Sequence, residues 1–139
     1  MTDQITPLKE LNKQKLRGEE MKKVLQGLGV SKGKVKGTVK IIKNFDEHPE
    51  FNEGDILVTR ITDPTMVPMM NKAAGIICEI GGLTSHPSVL SRELGIPCIV
   101  SVKDVMKILK DGDIIHMCGE SGIIEHISSK LKESWRLRW

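Results

Sequence analysis

The run Gly81-Gly82-Leu83-Thr84-Ser85-His86 holds the residues of this chain best suited to chemistry. A neutral imidazole is a nucleophile near neutral pH and needs little activation. Two glycines let the backbone turn sharply and approach a ligand closely. Thr84 and Ser85 add hydroxyl donors, and the spacing predicts a helix that starts at residues 84–88 and stops at Gly95, with Pro97 beyond it. Free N–H groups and the positive end of the helix dipole would face an anion there. Pro87 suits a helix start, where its missing N–H would be unpaired anyway. A phosphoryl group carried on His86 fits these features. A tight turn with a capping Ser or Thr and an ordinary cap-region histidine fits them too, and local physics alone leaves both readings open.

The surrounding pattern says what must position this run. Ile76-Ile77-Cys78 reads as a buried strand that delivers the chain to the glycine turn, and Cys98-Ile99-Val100 as the next strand. Strand, helix, strand over 76–100 is a βαβ unit, so part of the sheet must be parallel. Val35, Thr38-Val39, Ile41-Ile42 and Ile56-Leu57-Val58-Thr59 predict earlier strands, with Gly37 at a bulge or close approach. Asn44 to Gly54 reads as a polar loop. Asp63-Pro64 starts a short helix through Met66, Val67, Met69 and Met70. Val102, Val105, Met106, Ile108 and Leu109 predict a further helix, and Ile114-Ile115 and Ile123-Ile124 a closing hairpin around Gly119–Gly122. Upstream, residues 5–28 read as helix, with Thr6 as cap and Met21, Val24, Leu25 and Leu28 at helical spacing. The expected division is a helical extension or linker at 1–29, one α/β domain at 30–127 and a basic tail at 128–139.

Bulk properties exclude several function classes. The net charge is a mild +3, no basic stripe is interleaved with aromatics, and tyrosine is absent, which argues against a nucleic-acid partner. No apolar run approaches membrane-spanning length and Met1-Thr2-Asp3-Gln4 is unlike a secretory signal, so a cytoplasmic protein without a membrane partner is expected. Three cysteines, Cys78, Cys98 and Cys118, form no CxxC pair and read as reduced thiols on strands. His48, His116 and His126 have no partners at metal-ligand spacing, and no metal site is expected.

Gly81 to His86, followed by Arg92-Glu93-Leu94-Gly95-Ile96-Pro97, closely resembles the phosphohistidine signature of the phosphoenolpyruvate-utilising enzymes. These include phosphoenolpyruvate synthase, pyruvate phosphate dikinase, rifampicin phosphotransferase and the first enzyme of the sugar phosphotransferase system. Gly54–Val58, Thr62-Asp63-Pro64 and Ala73–Ile77 resemble the approach to that signature, and Asp111-Gly112-Asp113 and Gly122-Ile123-Ile124 its exit. The likeness covers about residues 30–126. Pro87 and Ser88 depart from the small residues, often alanines, usual after the histidine. Ser91 replaces a common alanine, and Ser101 stands where glycine often follows the strand.

The resemblance implies a mobile, swivelling β/β/α domain with a mixed sheet and flanking helices. It implies that His86 accepts and donates a phosphoryl group, that Gly81, Gly82, Thr84 and Ser85 contact phosphate, and that Arg92 is a phosphate-binding candidate that could instead pair with an acidic residue. It also implies partners in separate chains: an ATP-grasp nucleotide-binding domain, a phosphoenolpyruvate/pyruvate-binding barrel, or both. Mg²⁺ and ATP or phosphoenolpyruvate are expected on those partners and no cofactor on this chain, which is then the carrier part of a phosphotransferase and not a complete enzyme. Two other readings stand beside it: a stand-alone binding or regulatory module that kept the fold without turnover, and salt-sensitive binding to anions or nucleic acid through Lys130, Lys132, Arg136 and Arg138.

Overall fold

Runs of consecutive apolar residues mark strands covered on both faces, and the central strands here are of that kind. In the computed structural model, which describes residues 24–43 and 51–129, every residue of β4 (Ile56–Thr59), β5 (Gly75–Cys78) and β6 (Cys98–Val100) is buried. Around them lie β1 (Val24–Gln26), β2 (Leu28–Ser31), β3 (Lys34–Ile41), β7 (Asp113–Cys118) and β8 (Ile123–Ser129). A single helical turn at Pro64–Met66 runs into α1 (Val67–Lys72); α2 (His86–Leu94) and α3 (Val105–Ile108) follow.

The eight strands run in the order β1-β8-β7-β3-β4-β5-β6-β2. From β3 to β6 neighbours are parallel, and the remaining pairs are antiparallel. The sheet is therefore mixed, as expected, and the β5-α2-β6 unit is parallel. Leu57, Ile76, Cys78, Cys98 and Val100 face one apolar cluster with Met66, Met69, Met70 and α2's Leu90. Alternate residues Ile56, Val58, Ile77 and Ile99 face a second cluster with Ile115, Met117 and Ile124 from the antiparallel part. The result is sheet on sheet with α1 and α2 on one outer face, a β/β/α layering, while the short α3 packs through Val105 into the second cluster.

β1 and β2 are separated by Gly27 alone, yet they occupy opposite ends of the strand order. The sheet therefore curls round until its two ends meet. Gly27 N donates to Gly122 O (2.9 Å) and Gly119 N to Gly33 O (2.7 Å), which ties this seam to the β7–β8 turn. The approach is so close that a Cβ on Gly119 would overlap the Ser31 carbonyl oxygen. At the other end of that hairpin His126 Nε2 lies 3.2 Å from Asp113 Oδ2, both side chains nearly buried, and Asp113 also accepts from Lys110 N at 2.9 Å.

Two expectations need correction. The helix expected over 5–28 lies outside the described residues as far as 23, and its last part is strand: Val24–Gln26 pairs with β8, and Leu28 begins β2 against β6. Apolar residues at 24, 25 and 28 fit a helical period, but pairing with strands 70 and more residues away decides the outcome. The helix expected from Val102 is only Val105–Ile108, because Val102 N still extends the sheet by donating to Cys78 O (3.1 Å). The loop residues 44–50 with His48, and the tail residues 130–139 with its two tryptophans, lie outside the described residues. Among the described residues no helix is long and apolar enough to cross a membrane.

The three thiols are free. Burial pushes Cys78 far up, and Cys98 up to about 11. Cys118, at the hairpin turn, is held below its ordinary value by hydrogen bonds from the Ser121 hydroxyl and from the N–H groups of Ser121 and Glu120, with Lys34 nearby. Thiolate is the reactive form, so reaction with a disulfide reagent should rise through a pH below that of a free cysteine. One of the three thiols should react quickly in the folded chain, and Cys118→Ser should abolish that phase; a fast phase retained in the variant would contradict the assignment.

Ser101 holds φ 59° without being glycine, a conformation that costs roughly 1–2 kcal/mol. Ser101→Gly should therefore raise stability by about 0.5–1 kcal/mol after the extra freedom of glycine in the unfolded chain. Gly119→Ala should lower it by about 3 kcal/mol or more, because backbone must shift. Urea midpoints of the two variants should move in opposite directions.

Candidate functional site

Parallel strands bring their carboxyl ends to one edge, where α/β folds place ligands. The segments following β4 and β5 lie side by side there: Glu79 N donates to Thr59 O and Ile80 N to Arg60 O, each at 3.1 Å. Thr62 stands on the first segment, and Gly81 to His86 on the second. Glu79 accepts from Met106 N (3.1 Å), which fastens the start of the second segment to α3.

Gly81 turns the chain at φ 133°, and a Cβ there would come to 2.9 Å from Ser85 Oγ. Ser85 is extended and caps α2 through its carbonyl, which accepts from Val89 N at 3.0 Å. Its side chain makes no capping bond, so the first-turn N–H groups of the helix gain no internal acceptor from it. His86 is the first helical residue, and Pro87 the second, where its ring matches helical φ. Gly95 closes the helix in the left-handed conformation at φ 72°.

The His86 ring is fixed from the neighbouring loop. Its Nδ1 lies 2.8 Å from Thr62 Oγ1, and among the described residues nothing hydrogen-bonds its Nε2. Thr62 is buried. Asp63 follows at the surface. The Thr65 hydroxyl, then the Thr65 N–H, hold its carboxyl below the usual range, and proximity to His86 adds to this. The same carboxylate caps the turn Pro64–Met66 through Thr65 N at 2.8 Å.

Gly81, Gly82, Thr84, Ser85 and His86, all expected at the site, come together in this loop and helix start. A Cβ on Gly82 would meet nothing within 4 Å, so the backbone there faces open space. Thr84 is exposed, and its hydroxyl makes no hydrogen bond among the described residues. Ser85 Oγ donates to Gly82 O at 2.8 Å. Arg92 pairs with no acidic residue among the described residues: its Nε donates to Val30 O (2.8 Å) and its Nη2 to Leu83 O (2.6 Å), which latches the loop to β2. Two residues that sequence reasoning passed over belong to the site. Thr62, 24 positions before His86, entered only within Thr62-Asp63-Pro64 as part of the approach to the signature, and nothing local ties it to the histidine. Ser88, fully buried, donates to Gly82 O at 2.6 Å; in the sequence it stood out only as a departure from the small residue usual there. Among the described residues no group of three or more His, Cys, Asp or Glu is placed to hold a metal ion.

A family model described as PEP-utilising enzyme, mobile domain, matches residues 51–122. A probable phosphoenolpyruvate synthase of Archaeoglobus fulgidus is 43% identical over 128 residues, covering 87% of this chain and 17% of that protein. A rifampicin phosphotransferase of Bacillus subtilis is 40% identical over 99 residues, covering 71% of this chain and 11% of that protein. The chain thus spans under a fifth of the length of these relatives. Among solved structures, aconitase X of Thermococcus kodakaraensis shares the fold with a TM-score of 0.59 at 20% identity, covering 76% of this chain and 99% of that one. With the signature loop, its histidine and the parallel strand ends all inside or beside the matched span, this chain belongs to the mobile-domain family of the phosphoenolpyruvate-utilising enzymes.

Proposed function

We propose that His86 carries a phosphoryl group on Nε2 between two partner active sites. The observation that carries this reading is the ring's placement: Nδ1 is engaged by Thr62, while Nε2 is left open at a helix N-terminus. With the proton on Nδ1 and donated to Thr62 Oγ1, the Nε2 lone pair points outward as the nucleophile. Attack forms an N–P bond while the bond from phosphorus to the donor's leaving oxygen breaks. The ring becomes cationic and keeps its Nδ1 proton on Thr62, so the step needs no separate base. The added charge on the phosphoryl oxygens meets the first-turn N–H groups of α2, the Thr84 hydroxyl and the open backbone at Gly82. Return of the group to an acceptor is the same displacement reversed.

Phosphoryl transfer needs positioning and charge neutralisation more than covalent help. The described residues bring the nucleophile and its hydrogen-bond donors. An ATP-grasp domain with Mg²⁺ and nucleotide, and a phosphoenolpyruvate/pyruvate-binding domain, would bring the donor and acceptor, in this reading as separate cytoplasmic chains. The names of the relatives differ in acceptor, and acceptor choice would lie with the partners.

A direct test mixes the chain with the Archaeoglobus relative carrying a substitution at its own histidine, with [³²P]phosphoenolpyruvate or phosphate-labelled ATP. Acid-labile, base-stable label should appear on the chain and vanish in His86→Ala. Label that survives this substitution, or none on the unaltered chain, would sink the proposal. Thr62→Val removes the hydroxyl that fixes the ring at nearly constant volume. It should slow labelling by about 10-fold, the value of one hydrogen bond to a charged group, while leaving the site of labelling at His86.

A further inference from the structure

The signature loop is held by two side chains of the helix it precedes, and this leaves Ser85 free to change partners. Both Ser85 Oγ and Ser88 Oγ donate to the Gly82 carbonyl, at 2.8 and 2.6 Å. The carbonyl also accepts from Ser85 N at 3.2 Å, so its two lone pairs serve three donors, with the two hydroxyls making the shorter bonds. The two hydroxyl oxygens are 3.1 Å apart, but with both protons on Gly82 O neither serves the other. Ser88 is fully buried, and Ser85 is only partly so. Arg92, four residues beyond Ser88 and so on the same face of α2, holds the next carbonyl, Leu83 O.

We infer that Ser88 is a positioning residue: it anchors the Gly82 carbonyl so that the Ser85 hydroxyl can leave it and donate to the phosphoryl group on His86. This rests on the reading of His86 as the phosphorylated residue. If Ser85 alone held the carbonyl, turning its hydroxyl toward phosphate would leave the carbonyl only the long 3.2 Å bond from Ser85 N, at a cost comparable to the worth of the new hydrogen bond. With Ser88 in place the carbonyl stays paired. Ser85 then exchanges a neutral hydrogen bond for a charge-assisted one, which is about twice as strong. The loop keeps its shape throughout, because Ser88 and Arg92 hold Gly82 O and Leu83 O in both states.

A double-mutant cycle with phosphoramidate as the phosphoryl donor tests this without any partner protein. The rate of formation of phospho-His86 and its ³¹P chemical shift are read by NMR, with His86→Ala to identify the signal. Ser85→Ala should slow phosphorylation by about 5-fold, within the range of one hydrogen bond. Ser88→Ala should slow it by a similar factor and shift the ³¹P signal to the Ser85→Ala position. The double variant should be no slower than either single one, since without Ser88 the Ser85 hydroxyl stays on Gly82 O. Ser88→Thr, which keeps the hydroxyl, should restore most of the rate. A wild-type rate in Ser88→Ala, or losses that multiply to about 25-fold in the double variant, would overturn the role of Ser88 while leaving the carrier reading intact. Failure to observe any phosphate on His86 of the unaltered chain would remove both.

Discussion

One hydrogen bond, between Thr62 Oγ1 and His86 Nδ1, sets the requirement that the rest of the fold meets. A histidine at a helix start can rotate about two bonds, and a carrier needs one nitrogen presented in one direction. The bond joins two loops that leave adjacent parallel strands, so its length depends on the register of β4 against β5, where Thr59 lies opposite Cys78. Thr62 is itself buried. The buried apolar strands below therefore act on the ring through the Thr62 hydroxyl. A shift of one residue in that register would send the hydroxyl to the wrong side of the sheet.

The side chains of the signature divide by direction. Those facing inward hold structure: Ser88 on Gly82, Arg92 on Leu83 and Val30, Leu90 in the apolar cluster beneath the helix. Those facing outward, Thr84 and the Nε2 edge of His86, are left without hydrogen-bond partners among the described residues. A phosphate site must be rigid in its backbone and unsatisfied at its surface, and a helix N-terminus with a separate inner clamp meets both needs. Pro87 fits the same division. It occupies the second helical position, where it stiffens the start of α2 without removing an internal hydrogen bond.

Much of this was legible in the sequence, and for local reasons. Gly81, the helix from His86, its stop at Gly95, the Asp63 cap and the buried strands at 56–59, 76–78 and 98–100 are all written in short-range residue types. What was not legible depends on contacts distant in sequence. β1 exists because Val24–Gln26 finds Ile123–Glu125, and alone its apolar spacing reads as helix. The value of Thr62 appears only when His86 is folded against it. Arg92 read as a ligand for phosphate or a partner for an acid, whereas its acceptors are backbone carbonyls, which no side-chain pattern can announce. Ser88 and Ser101 looked like simple departures from a pattern. One turns out to hold the loop, and the other carries backbone strain where glycine would carry none.

The pairing of β1 with β8 has a mechanical meaning. Val24 lies opposite Glu125 on neighbouring antiparallel strands, so the first and last strands of the described residues close on each other. The signature loop, the His86 ring and its clamp all lie between them in sequence, and are therefore borne by one closed body and not by a free arm.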